Sequence, residues 1–266
     1  YDVISHLFEF KNPTQKIAYR LLNPCYPFEK NLKKSKKVIC CEYNRAHITK
    51  SIYDLDKVPY ILPNKPYNGN VQIAQSLPFS IQEIISKYRN KKIILYQGVF
   101  IPERRVDYFV RAVNSLPDDY ILFLMGGENP FYNELRDKCQ SERIVFLPFL
   151  PPPLHLEITK LAHIGILVYV VDGEPINRAI NVLYCAPNKL YEYSMFGIPM
   201  ISNNLPALNF IFSKFEAGIC TDILLEKNVC EAILEIDRNY ESYSKASVQL
   251  YNSVDMLDIV KGILRE

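Results

Sequence analysis

The chain has 266 residues, 48% hydrophobic and 23% charged, which is the composition of a globular protein with room for about two domains. Its longest apolar runs, such as residues 164–171, fall far short of the ~20 residues that cross a bilayer, and no signal peptide is visible. The seven cysteines lack regular spacing and form no CxxC or Cys/His pattern. That argues against a disulfide framework or a structural metal, and points to a reducing cytoplasm. Cys40, Cys41 and Cys185 read as small packing residues.

Charge is unevenly divided. Residues 1–65 carry a net +6, which leaves −4 for residues 66–266 of a chain whose net charge is +2. Lys30, Lys33, Lys34, Lys36 and Lys37 form either a solvated helix face leading into a strand or a peripheral contact with an anionic membrane surface. The acidic remainder has no basic stripe interleaved with aromatics, so nucleic acid is not an expected partner.

In chain order, residues 2–7 read as a buried strand, 13–22 as a helix, 38–41 as a strand, 45–55 as a helix and 58–62 as a strand. Residues 65–90 collect prolines and Asn68-Gly69-Asn70 around one amphipathic helix at 81–88, as a linker does. A regular series follows, with strands expected at 93–96, 120–125, 144–147, 164–168, 198–201 and 218–220. Helices are expected near 106–115, 131–140, 154–161, 189–196, 205–212 and 229–239, with one or two closing helices over 244–264. Short β-branched runs alternating with helical patterns predict an α/β protein: a Rossmann-like parallel sheet covered on both faces, plus a partial second Rossmann-like domain. The expected domains are 1–65, a linker at 66–91, 92–240 for ligand binding, and closing helices at 241–266.

One stretch carries most of the chemistry. Ala186-Pro187-Asn188-Lys189-Leu190-Tyr191-Glu192 reads as a loop entering a short helix, which Gly197 stops before a buried strand. Amides at a helix start and a lysine suit phosphate, and a carboxylate one turn on suits a pair of sugar hydroxyls. A nucleoside diphosphate needs all three.

The same stretch resembles the donor-sugar motif of retaining GT-B glycosyltransferases (group 1, family 4-like). There a PNK-x-x-E-Y run precedes a G-x-P-hydrophobic strand. Leu95-Tyr96-Gln97-Gly98 with Pro102-Glu103-Arg104-Arg105 resembles that family's first strand and phosphate loop in the C-terminal domain. Residues 143–151 and Ala162-His163-Ile164-Gly165-Ile166 match two further strand elements in the same order.

The resemblance implies residue roles. Arg104 and Lys189 would neutralise the leaving phosphate, either Arg104 or Arg105 turning inward. Gly98 would let backbone approach the donor, the loop around Phe149 would hold the base, and Asn188 and Leu190 would flank Lys189 at the helix start. Glu192 would take the ribose hydroxyls, and His6 would lie beside the donor sugar. His163 stands where relatives have Asp and is expected to be structural. Gly126-Gly127 is no more than a strand-to-helix turn on sequence grounds. Asp54-Leu55-Asp56 lies at a helix end and is a poor metal-binding D-x-D.

Two departures stand out. Tyr184 occupies the position of a donor-sugar Glu, and Val99 that of an Arg. They leave the donor sugar open more than the reaction.

The implied activity is transfer of a hexose from a UDP- or GDP-linked sugar to a glycan or lipid-linked acceptor, as in polysaccharide biosynthesis. It needs no metal or cofactor, it retains anomeric configuration, and the location is cytoplasmic or peripheral at the inner membrane face. The first residue is Tyr, and a whole enzyme of this kind has two complete halves. The sequence is therefore expected to be part of a longer protein and to transfer sugar poorly alone. Two alternatives remain: a non-catalytic nucleotide-sugar-binding module, and a UDP-sugar epimerase of the same fold, for which too few acidic and His residues converge.

Overall fold

The computed structural model describes residues 4–7, 28–67, 71–73, 75–139, 141–171 and 176–265. The helix expected at 13–22 lies outside them. Contacts divide the chain into two compact units: Tyr1–Lys65 with Val171–Ala186 and Val254–Glu266, and Pro66–Val170 with Pro187–Ser253.

The smaller unit begins with β1 (Ile4–Leu7), α1 (Phe28–Lys34), β2 (Lys37–Cys40), α2 (Tyr43–Tyr53) and β3 (Tyr60–Ile61). The three strands form a parallel sheet in the order β1-β2-β3. A Glu42 carboxylate oxygen accepts the Arg45 amide at 2.8 Å and caps the start of α2, while Asp54 in the left-handed region (φ 49°) ends it. Asp54-Leu55-Asp56 is thus a helix terminus, and Leu55 packs inward with Leu32 and Tyr53. Lys37 corrects the view of the lysine series as one solvated or membrane-facing surface. It is buried, and its ammonium donates to the Ile263 carbonyl. Cys40, Cys41 and Cys185 are buried and not disulfide-bonded.

The larger unit runs α3 (Phe79–Tyr88), β4 (Lys92–Gln97), α4 (Val106–Ser115), β5 (Tyr120–Met125), α5 (Pro130–Lys138), β6 (Ile144–Leu147), α6 (Leu156–Thr159) and β7 (Ile164–Leu167). The chain then gives α7 (Ile176–Leu183) to the smaller unit. It returns for α8 (Asn188–Met195), β8 (Met200–Asn203), α9 (Pro206–Phe215), β9 (Gly218–Thr221), α10 (Glu226–Arg238) and α11 (Tyr240–Asn252), and α12 (Met256–Arg265) belongs again to the smaller unit. All six strands are parallel, in the order β6-β5-β4-β7-β8-β9. The chain is an α/β protein with Rossmann-like parallel sheets.

β4 and β5 are buried almost end to end, as strands covered by helices on both faces must be. Ile94, Leu122 and Leu124 meet Phe109 and Val113 of α4 and Ile233 of α10 in one core. Each such side chain contributes roughly 1.5–3 kcal/mol on removal from water.

Two local differences from the sequence reading have clear causes. β8 begins at Met200 rather than at 198. The Ile198 amide instead closes the end of α8 by donating to the Tyr193 carbonyl (3.1 Å), Gly197 is left-handed (φ 67°), and Pro199 has no N–H to offer a ladder. α7 is an unexpected helix, although Ile176, Ile180 and Leu183 carry its i, i+4, i+7 signature.

At the amino end of the sheet, His163 Nε2 lies 2.8 Å from an Asp237 carboxylate oxygen, and its ring stacks on Tyr240 at 4.1 Å. Lys92 binds the other Asp237 oxygen at 2.8 Å. His163 therefore ties β7 to α10 and α11.

Candidate active site

In open α/β sheets the ligand crevice lies beyond the carboxyl ends of the strands, where strand order reverses. Here β4 is followed by β5 and β6 on one side and flanked by β7 on the other. Beyond the ends of β4, β5 and β6 the larger unit has a cleft of about 460 Å³. Gly98, Gly126, Gly127, Phe149, His155, Lys189 and Glu192 are among its walls.

The placement of α8 begins with its buried face. The Tyr193 side chain is fully buried, and its hydroxyl donates to the Leu95 carbonyl at 3.0 Å. The ring lies on Gly165 of β7, where a Cβ would come within 2.5 Å of it. Ser247 of α11 holds the other end by donating to the Ile198 carbonyl at 2.8 Å. With this face fixed, Lys189 and Glu192 both reach the cleft.

The Lys189 ammonium lies against Gly98, 2.6 Å from where a Cβ would stand. Gly98 has φ 146°, a backbone that L side chains rarely adopt, and its amide donates to the Met125 carbonyl at 2.9 Å. Gly126 abuts it so closely that a Cβ would sit 2.1 Å from the Gly98 carbonyl oxygen. Gly126 is thus a packing requirement of the cleft floor, more than the ordinary turn its sequence suggests.

Glu192 is buried despite its charge, and its carboxylate is held on both sides. Gln97 Nε2 donates to Oε2 at 2.6 Å, and His155 Nε2 lies 3.3 Å from Oε1. Gln97 is held in turn by the Thr159 hydroxyl, 2.7 Å from its Oε1. Burial, and then the Glu192 charge, push the phenol of nearby Tyr67 upward. A carboxylate fixed in this way still offers lone pairs to a diol.

Arg104 closes the 3-10 turn Pro102–Arg104 after β4. Its guanidinium lies 4.1 Å over the Tyr169 ring and reaches the Val168 carbonyl at 3.4 Å. Lys189 lies 5.7 Å from the same Tyr169 ring and 5.4 Å from Tyr96. Arg105 turns elsewhere, to the Tyr108 hydroxyl at 2.9 Å and to Asp107 at 3.6 Å. Of the two arginines, Arg104 is the one that shares a neighbour with Lys189.

The structure therefore brings Gly98, Phe149, Lys189 and Glu192 to one cleft, with Arg104 linked to Lys189 through Tyr169. Phe149 is exposed on the loop after β6, and Asn188 is exposed at the start of α8. Leu190 corrects one expectation: its side chain is buried and its amide already donates to the Pro187 carbonyl at 3.1 Å, so it offers no group to a ligand. His6 lies on β1 in the smaller unit, beside Ile39, and burial lowers its pKa. Sequence reasoning assigned no role to Gln97, His155, Thr159 or Tyr169, which only tertiary packing brings to this place. Among the described residues, no group of three or more His, Cys, Asp or Glu could hold a metal.

No known sequence family and no curated protein matches the chain. Solved structures do. HepE of Anabaena, solved in complex with UDP, superposes with a TM-score of 0.70 at 12% identity, covering 99% of this chain and 71% of that one. The fold is that of the GT-B glycosyltransferases. WaaG, a glycosyltransferase involved in lipopolysaccharide biosynthesis, gives a TM-score of 0.63 at 14% identity over 98% of this chain and 73% of its own. A glycosyltransferase from Rickettsia africae also gives 0.63, at 12% identity over 98% and 69%. At such identities the likeness speaks for the GT-B architecture alone. No described helix is long and apolar enough to cross a membrane.

Proposed function

We propose that this chain binds a nucleoside diphosphate sugar, UDP- or GDP-linked, and transfers its sugar to a glycan or lipid-linked acceptor with retention of configuration and without a metal. One observation carries the reading: Lys189 lies against Gly98 at the cleft, and Glu192, one turn along the same helix, is buried and fixed there. That pairing suits a diphosphate beside a ribose. The complex of HepE with UDP-glucose supports a donor of this class on the same fold.

In the proposed reaction the acceptor hydroxyl attacks the anomeric carbon from the face that the diphosphate leaves. The bond from that carbon to the phosphate oxygen breaks as the new glycosidic bond forms. The acceptor's proton passes to the departing phosphate, and the nucleoside diphosphate is released. Lys189 and Arg104 stabilise the charge that grows on the leaving oxygen. His6 is assigned to the sugar side of the reaction and Phe149 to the base.

Calorimetry with UDP and GDP tests the binding step. A folded chain that binds neither refutes the reading. Lys189→Met is expected to lower the rate of sugar transfer by about 10²-fold, in line with the loss of one preorganised donor.

A further inference from the structure

We propose that Tyr169 is a positioning residue whose ring, held in place by Asn203, sets Arg104 and Lys189 at the spacing that grips one diphosphate. The proposal rests on the nucleotide reading above. It starts from a shared neighbour: the two cations that this reading assigns to the diphosphate lie against the same ring. An aromatic face is a favourable neighbour for each of them, because its quadrupole presents negative potential to a cation. The guanidinium of Arg104 at 4.1 Å and the ammonium of Lys189 at 5.7 Å share the Tyr169 ring, which is itself 8% exposed.

The ring can set a spacing only if its backbone is fixed, and three ties fix it. The side-chain amide of Asn203, the last residue of β8, bonds Tyr169 twice. Asn203 Oδ1 accepts the Tyr169 amide at 3.1 Å, and Nδ2 donates to the Tyr169 carbonyl at 2.8 Å. This continues the pairing of β7 with β8 past the end of the ladder at Leu167–Ser202. Next, the Val170 amide donates to the Glu103 carbonyl at 3.0 Å and ties the same segment to the turn that carries Arg104. Arg104 itself reaches back to the Val168 carbonyl. Two loops from different strands are thus locked around one ring. Both phosphate candidates lie against that ring, Lys189 also against Tyr96 at 5.4 Å, although Tyr169 need not touch the ligand.

The test separates diphosphate recognition from general damage. UDP and UMP binding, with GDP and GMP in parallel, is measured by calorimetry on the wild-type chain and on Tyr169→Leu, Tyr169→Phe and Asn203→Ala, each checked by thermal melting. Tyr169→Leu and Asn203→Ala are expected to lower the preference for diphosphate over monophosphate by about ten-fold, with monophosphate affinity nearly unchanged. Tyr169→Phe keeps the ring and is expected to keep the preference. If Tyr169→Leu does not fold, Asn203→Ala and Tyr169→Phe carry the comparison. An unchanged preference in Asn203→Ala and Tyr169→Leu, an equal fall for mono- and diphosphate, or a loss in Tyr169→Phe overturns the spacer role while leaving nucleotide binding intact. A wild-type chain that binds no nucleotide overturns the functional reading, and the spacer with it.

Discussion

At the scale of single residues, Glu192 shows how a buried charge can be made serviceable. Its oxygens face Gln97 and His155, so desolvation is offset by partners that also fix the carboxylate's orientation. Replacing Gln97 by Leu removes the donor to a buried oxygen and is expected to lower stability by about 1–3 kcal/mol, read as a shift of the urea midpoint. Glu192→Gln keeps the shape but loses the charge. Its affinity for UDP or GDP should fall by roughly 10–100-fold, as for a hydrogen bond to a charged acceptor. Calorimetry on the purified variant checks this, and an unchanged affinity would remove Glu192 from the site. Residues of this kind differ in how far a sequence exposes them. Lys189 and Glu192 are legible because their spacing on one short helix states a chemical purpose. Gln97, Thr159 and His155 are ordinary residues on separate elements, and no local pattern marks their convergence. Arg104 and Arg105 are adjacent and chemically alike, so only the fold tells which of them is held by its own helix.

The helix α8 is placed by what lies beneath it. Gly165 in β7 leaves the room that the Tyr193 ring occupies against the strand. A methyl group there would meet ring carbons at 2.5–2.7 Å. Gly165→Ala is therefore expected to cost about 1–3 kcal/mol by overpacking and to weaken nucleotide binding by lifting Lys189 and Glu192 together. Denaturant unfolding and calorimetry on one preparation check both effects, and intact binding in a destabilised variant would show that α8 tolerates the shift. The strands of the larger unit were readable from their β-branched runs, and helix positions from their periodicity. The ends were less so, because Ile198 is apolar enough for a strand yet spends its amide closing α8.

A second prediction at this scale concerns acid. Burial holds the pKa of His163 below its ordinary 6.5, against the pull of Asp237. The unfolded chain takes up that proton first as pH falls through 6.5, so the folded state loses stability from there down to the folded pKa. The melting temperature should drop between about pH 7 and 5, and His163→Phe, which keeps a ring to stack on Tyr240, should flatten that slope. Equal slopes in both proteins would assign the acid sensitivity elsewhere, for example to His6, whose pKa is also lowered by burial.

Over the whole molecule the two units are not two consecutive lengths of chain. The smaller one takes up the chain again at Val171–Ala186 and at Val254–Glu266. Its last piece makes specific contacts: Lys37 donates to the Ile263 carbonyl, and Lys65 donates to the Val254 carbonyl at 2.7 Å. Removal of residues 254–266 is expected to lower the melting transition of the smaller unit while UDP or GDP binding by the larger unit survives. Calorimetric melting with and without nucleotide distinguishes the two, and loss of binding would show that the larger unit needs this helix. Alternation of strands and helices reveals two Rossmann-like sheets in the sequence. It does not reveal this interleaving, because α7 and α12 look like any other amphipathic helices until their neighbours are known.

The return of α12 to the smaller unit also fixes an order of assembly on the ribosome. β1, β2 and β3 precede every strand of the larger unit in the chain, yet the carbonyl that receives the Lys37 ammonium follows all of those strands. Nascent chains usually fold from the amino end forward. Here β1 to β3 must wait, with Lys37 lacking its final acceptor, while the larger unit, translated after them, closes around its own core.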